Sequence, residues 1–358
     1  MLSIIAIVIA CFFAMNIGAS GTAAAMGPAY GSGALPRKRV AMLLVGVFAF
    51  CGALAGGEVV RTIGSGIIST EIVDVELVVI ILAAACLSLF IANLIGIPLS
   101  TSEVVVGAIV GAGIAYQSLY FETLLVIVMF WVIVPVVAFT LSLAVGTLIR
   151  SGERKYTFLK GKGKWRKPLV ILLIISGCME AFAAGMNNVA NAIGPLVGAG
   201  VIGIQEGILL GGAFVALGAF VLGGKVLETN GKRITSLSLL QGSAVSGIGG
   251  TLVIIASIFG LPVPLTQVTT SAIIGMGTVE RGFRLWQKNI LKQIIKVWVV
   301  SPVFSLVLSY LLVLLFRKSD YYSLFMLLSV FIATVGTYSL YKSVQQDRRT
   351  TYDDGAGI

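Results

Sequence analysis

Apolar stretches near the length of roughly 20 residues that a helix needs to cross hydrocarbon recur along the chain. They are Val40–Gly57, Leu77–Ile95, Leu124–Leu148, Leu169–Ala184, Gly207–Leu222, Ala244–Phe259, Val297–Phe316 and Tyr322–Leu340. Another opens the chain. It lacks the basic start of a secretory signal, and its apolar run continues past Met15 into a glycine-rich motif, so a first membrane helix is expected there. With 58% hydrophobic and 11% charged residues and a mean hydropathy of +1.03, too little polar surface remains for a water-soluble particle of 358 residues. The expected solvent is membrane lipid, with no room for a sizeable soluble domain.

The pattern repeats. At an offset of 167 residues Cys11 falls on Cys178, Gly18 on Gly185, Gly27-Pro28 on Gly194-Pro195, Gly33 on Gly200 and Gly56-Gly57 on Gly223-Gly224. At an offset of 164, GIPLSTSEVVVGAIVGAG from Gly96 matches GLPVPLTQVTTSAIIGMG from Gly260. This divides the chain into a first repeat (residues 1–149), a basic linker (150–167), a second repeat (168–316) and a final helix with a tail (317–358).

Lysine and arginine concentrate in cytoplasmic loops, so loop charge reports orientation. Pro36–Arg39 is basic and its partner Gly203–Glu206 is not; Glu58–Glu76 carries Glu71, Asp74 and Glu76, and its partner carries Lys232 and Arg233; Gln117–Glu122 is uncharged to acidic, and Glu280–Lys292 holds Arg281, Arg284, Lys288 and Lys292. All three pairs reverse sign. An odd number of crossings per half, five, has that effect. The expected fold is therefore an all-α polytopic membrane protein of about 11–12 transmembrane helices in two inverted repeats with broken or re-entrant helices. The N-terminus lies outside and the linker and C-terminus inside. Inverted repeats are the architecture of secondary transporters, with the site near the midplane where the halves meet.

Composition removes several chemistries. The chain has no histidine, hence neither the commonest metal ligand nor the usual proton shuttle near neutral pH; proton chemistry falls to carboxylates. Cys11, Cys51, Cys86 and Cys178 lie in apolar segments without CxxC spacing and are expected to be small core residues rather than disulfides or metal ligands. The net charge of +10 fits basic cytoplasmic loops beside anionic lipid, and no nucleic-acid partner is expected. No metal, cofactor or enzymatic activity is expected either: clustered carboxylates and a nucleotide loop are both missing from the sequence.

Each half interrupts its apolar helices twice with glycine, proline and small polar residues. GASGTAAAMGPAYGSG from Gly18 and GMNNVANAIGPLVGAG from Gly185 are candidate helix breaks, and unwound helix starts offer amides and a favourable dipole to an anion. The second pair supplies hydroxyls. Pro98–Glu103 lies in one half and Pro262–Gln267 in the other, with proline marking the first turn of a half-helix. Candidate anion ligands are Ser20, Thr22, Asn187, Asn188 and Asn191 on one wall, and Ser100, Thr101, Ser102, Thr266 and Gln267 on the other. Against this, small-xxx-small spacings such as Gly27/Gly31 and Gly194/Gly198 also let helices pack closely, and serine and threonine often bond their own backbone. Glu103, an acid beside the apolar run Val104–Ile109, is a candidate acceptor for a coupling proton or a cap of its own helix. Glu58 and Arg61 stand opposite Lys225 and Glu228 in the repeat register with their charges swapped, either as a gate or as anchors of helix ends.

At these motifs the sequence resembles the inorganic phosphate transporter family, whose halves each carry a GANDVANA-like and a PxSTT-like motif. Gly185–Ala192 is the strong copy of the first and Gly18–Ala25 the degenerate one; Pro98–Ser102 fits the second well and Pro262–Thr266 in part. Gly21 and Asn188 stand where the family motif has aspartates implicated in sodium coupling. FFAMNIGASG, EAFAAGMNNVANAIGPLVGAG, LETNGKRIT and GLPVPLTQVTTS are similar to the bacterial sulfate permease branch of that family. The resemblance implies sulfate uptake across the bacterial cytoplasmic membrane to feed cysteine synthesis, with H+ favoured over Na+ as coupling ion, and a homodimer. Sulfate, fully deprotonated, wants donors only, which suits amides and hydroxyls. A sodium- or proton-coupled phosphate symporter and a passive anion channel are the alternatives.

Overall fold

The computed structural model describes residues 1–95, 99–161, 163–233, 237–282, 289–323 and 325–326. Residues 1–310 form one compact unit and residues 311–358 a second. The first half supplies α1 (Leu2–Ala19), α2 (Gly27–Gly31), α3 (Lys38–Ala53), α4 (Gly57–Ser65), α5 (Val75–Ile95), α6 (Thr101–Tyr116) and α7 (Phe121–Lys155). The second supplies α8 (Arg166–Gly198), α9 (Ile204–Leu222), α10 (Gly224–Arg233), α11 (Leu239–Ile258), α12 (Leu265–Arg281) and α13 (Asn289–Val313). The described part of the second unit completes α13 and adds a π-helical turn, Leu314–Lys318. The last predicted membrane helix, Tyr322–Leu340, lies almost wholly outside the described residues.

Among the described residues seven helical spans are long and apolar enough to cross a membrane, and α3 and α4 form a further pair bent by 67°. α3, α6 and α12 have 16, 16 and 17 residues, short for a lone crossing. The outward faces are apolar: Ile4, Val8, Leu43, Val47, Leu125, Val132 and Val136 are all exposed, which is stable only against acyl chains. Cys11, Cys86 and Cys178 are buried as expected, whereas Cys51 is exposed on α3 and is no core residue; all four are free thiols.

The halves interlock through repeat-equivalent contacts. α1 packs on α9 and α3 packs on α8. Gly18 and Gly218 let α1 and α9 touch at the Val215 and Met15 carbonyls, while Gly185 and Gly52 do the same for α8 and α3 at the Ala49 and Phe182 carbonyls. Asn188 meets Thr22 and Gly177 meets Met26, so as one chain advances the other retreats, the antiparallel arrangement an inverted repeat requires. Equivalent glycines also end equivalent elements: Gly33 after α2 and Gly200 after α8 have φ of +73° and +65°, a conformation that glycine adopts without a Cβ clash.

One expectation fails. The first motif is a break, since α1 ends at Ala19, Ser20 turns with φ −98° and ψ −99°, and a short 3-10 segment leads to α2. Its partner is not broken: α8 runs unbroken through Gly185, Asn188 and Pro195 to Gly198. The glycines of that motif serve packing instead, Gly185 against Ala49 and both Gly194 and Gly198 against α4. Pro195 lies inside α8, where its missing N–H leaves the Asn191 carbonyl without its helical donor.

Candidate functional site

α6 and α12 begin inside the protein and face each other. Ser100 precedes α6 in an extended conformation and does not cap it, and Pro264 does the same for α12. At α12 the Gln267 amide donates to Pro264 O at 2.9 Å; the earlier first-turn amides, Thr101 and Ser102 at one start and Leu265 and Thr266 at the other, have no acceptor within their own helix, so both starts present open N–H groups and the positive end of a dipole.

Between α11 and α12 the chain is irregular, and at membrane depth each of its carbonyls needs a donor. Three consecutive ones are supplied by three different helices. Asn187 Nδ2 of α8 donates to Leu261 O at 3.0 Å, Trp131 Nε1 of α7 to Pro262 O at 2.8 Å, and Ser102 Oγ of α6 lies 3.2 Å from Val263 O. Nothing in the apolar pattern of α7 singled out Trp131.

The three asparagines share one face of α8 and tie this segment to α6. Asn187 Nδ2 also donates to Ser257 Oγ at 2.9 Å, and its Oδ1 lies 3.3 Å from Ser102 Oγ. Asn188 accepts from Thr101 Oγ1 at 3.2 Å and donates to Thr22 Oγ1 at 3.4 Å. Asn191 Nδ2 donates to Thr101 and Ser102 at 3.2 and 3.3 Å, while its Oδ1 is buried without a partner. The intact helix therefore contributes side chains, where the broken first motif contributes backbone.

Over this network lies a cleft bordered by Leu99, Ser100 and Thr101 at the start of α6, Leu265 and Thr266 at the start of α12, and Gly21 and Asn188. It has room for roughly one water molecule, so a larger guest requires the helix starts to separate. Among the described residues no lysine, arginine or carboxylate borders it.

Of the predicted ligands, Ser100, Thr101, Thr266 and Asn188 border the cleft, and Thr22, Ser102, Asn187 and Asn191 stand behind them. Ser20 turns its hydroxyl to Ile17 O of its own helix at 3.2 Å. Gln267 donates instead to Glu103, which is 2% exposed. These two residues are repeat equivalents, so the pseudo-twofold axis passes through their contact. Ser301 of α13 lies beside the same carboxylate, and Glu103 Oε2 has no hydrogen-bond partner. Glu103 thus reaches across to the other half instead of capping α6.

Three residues of the suggested gate take part in ion pairs. Glu58 pairs with Arg61 one turn away at 2.6 Å, both largely exposed, and Glu228 pairs with Lys38 of the first half at 2.7 Å. A second buried acid was missed by the sequence reading. Glu180 of α8, 2% exposed, accepts from Thr269 Oγ1 of α12 at 2.6 Å. The signal was a lone acid within the apolar run Leu169–Ala184.

Two inverted halves, interlocked and meeting at a pair of helix starts over a small polar cleft, define a multi-pass membrane transporter. The chain belongs to the phosphate transporter family, whose model matches residues 17–309. It is 54% identical to the sulfate permease CysP of Bacillus subtilis over 99% of both chains, and 29% identical to a putative phosphate permease of Pyrococcus furiosus over 83% of this chain and 92% of that one. A solved structure, the sodium-dependent phosphate transporter, superposes with a TM-score of 0.77 at 27% identity, over 86% of this chain and 97% of its own.

Proposed function

We propose that the chain is a sulfate permease that takes up sulfate across the bacterial cytoplasmic membrane by proton-coupled symport. The carrying observation is a cleft of neutral donors, the first-turn amides of α6 and α12 with the hydroxyls of Ser100, Thr101 and Thr266 and the Asn188 amide, bordered by no carboxylate among the described residues. Sulfate near neutral pH has only acceptor oxygens. Phosphate keeps a proton that asks for an acceptor. Full-length identity to a sulfate permease supports the same choice.

Entry of a dianion against an inside-negative potential costs about 2.3 kcal/mol per charge per 100 mV. Among the described residues no cationic side chain borders the cleft, and accumulation against that potential needs cations that travel with the anion. Glu103 supports a proton in that role: it touches Gln267 at the start of α12, so its charge state acts on the contact between the two helix starts. Loop charges support an external N-terminus and an internal C-terminus.

Proteoliposomes given a pH gradient, a sodium gradient or neither, each with and without excess phosphate, test the reading. The expected result is sulfate accumulation driven by the pH gradient and unaffected by phosphate. Sodium-driven uptake blocked by phosphate would replace it with phosphate symport, and equilibration without accumulation would replace it with a channel. In the same assay Thr101→Ala and Asn188→Ala, at two residues that border the cleft, are each expected to raise the KM about tenfold or more, the worth of a hydrogen bond to a charged group. Wild-type affinity in both variants would sink the site assignment.

A further inference from the structure

Glu180 stands in a second buried polar cluster, apart from the cleft. Its Oε1 accepts from Thr269 of α12, and Ser246 of α11 lies beside the carboxylate. Both Glu180 Oε2 and Ser246 Oγ are buried and have no hydrogen-bond partner. Gly249 and Gly250 of α11 leave space for the group, since a Cβ on Gly249 would stand 3.8 Å from Oε1 and 3.5 Å from Thr269 Oγ1. Among the described residues it accepts one hydrogen bond, from Thr269, with the Ser246 hydroxyl beside it, and no lysine, arginine or second acid adjoins it. A charge at that depth has no counter-charge to offset its desolvation, and a proton cancels it. A bare metal ion is a poor alternative, because hard cations gather six or more oxygens and this cluster offers four, two from one carboxylate and two from hydroxyls.

The placement ties the cluster to transport. Thr269 lies on α12 one turn beyond Thr266, which borders the cleft, and two residues beyond Gln267, which holds Glu103. Two buried acids therefore fasten the same helix, one from α6 and one from α8. The ionised form of Glu180 accepts from Thr269, while the protonated form has an O–H to give and needs that donor less.

Resting on the sulfate reading above, we propose that Glu180 is a second proton-carrying residue, so that two protons, on Glu103 and Glu180, accompany each sulfate. The charge then balances: one dianion and two protons cross together, and the step is electroneutral.

Proteoliposomes with the full chain test this through the accumulation ratio and its response to an imposed potassium-diffusion potential. Each proton moving down one pH unit contributes a factor of about ten. The wild type is expected to reach about hundredfold accumulation per pH unit, insensitive to voltage. Glu180→Gln keeps the acceptor for Thr269 and loses the titrating group. It is expected to fall to about tenfold or less and to become voltage-sensitive, while sulfate–sulfate exchange, which needs no net proton movement, continues. Glu180→Asp restores part of the accumulation. Wild-type accumulation and voltage insensitivity in Glu180→Gln would overturn the proposal, and so would loss of exchange in both variants, which marks a structural residue. A wild type that ignores the pH gradient would instead overturn the reading on which it rests.

Discussion

Gly185→Ala is expected to eliminate most of the folded protein, although it adds one methyl group to a helix that alanine ordinarily favours. A Cβ at residue 185 would stand well inside 3.0 Å of Ala49 O and of the Ala49 Cα. Those are backbone atoms of α3 and cannot rotate aside, so α8 and α3 must separate along their whole crossing. Overpacking of a closed core usually costs about 1–3 kcal/mol, and an unyielding backbone neighbour belongs at the top of that range or above it. Separation also moves Phe182 off Gly52 and shifts the asparagine face of the same helix. Gly18→Ala, at the equivalent contact of α1 with Val215 O, is expected to do the same. Gly247→Ala is the control. It sits inside α11 with nothing within 4 Å of its would-be Cβ, and alanine favours a helix by about 1 kcal/mol over glycine. Size-exclusion profiles and melting curves of the detergent-purified variants read the outcome. If Gly185→Ala melted within about 2 °C of the wild type, a shift of less than about 1 kcal/mol, the close interlock of the two halves would be wrong.

Those same glycines mark where the sequence could and could not be read. Spans, repeat and inversion were legible, because lipid forces long apolar runs and loop charge records their direction. Glycine alone was ambiguous: the motif from Gly185 reads as a candidate helix break and its Gly194/Gly198 spacing equally as close packing, and α8 uses Gly185 and Gly194 as contact points, the commoner use of glycine at membrane depth. The suggested gate met a different constraint. Equal register makes Glu58 and Lys225, or Arg61 and Glu228, symmetry mates, and symmetry mates touch only on the axis. Off it, Glu58 simply took the arginine one turn away. On the axis stand Glu103 and Gln267, whose contact the offset of 164 residues implies once the axis is known to pass there. Glu180 was legible by the rule that singled out Glu103, an acid in an apolar run, and was passed over because it has no polar partner in the other repeat, where Phe13 occupies the equivalent position. Trp131 carried no signal, since its role depends on which carbonyl faces it.

Asn188→Asp is expected to be the most damaging change at the cleft that leaves the fold intact. Aspartate has the shape of asparagine and keeps the oxygen that accepts from Thr101 Oγ1. The donor lost toward Thr22 is replaceable, because the Thr22 hydroxyl can turn and donate instead. What changes is charge. At an effective dielectric near 20, a unit charge about 4 Å from another contributes about 4 kcal/mol, so a carboxylate beside a dianion opposes binding by about twice that. Even a quarter of the sum weakens binding about thirtyfold, where Asn188→Ala merely removes one donor. The sign reverses for a cation: a carboxylate bordering the cleft attracts Na+ as it repels sulfate, and the family motif has an acid at this position. Sulfate uptake by Asn188→Asp should therefore fall below about a thirtieth of the wild type at limiting substrate, with high sodium restoring part of it and choline restoring none. The melting temperature should stay near that of the wild type. Uptake within threefold of the wild type, with no response to sodium, would mean that the anion does not pass beside Asn188 and that the cleft between the two helix starts is not its path.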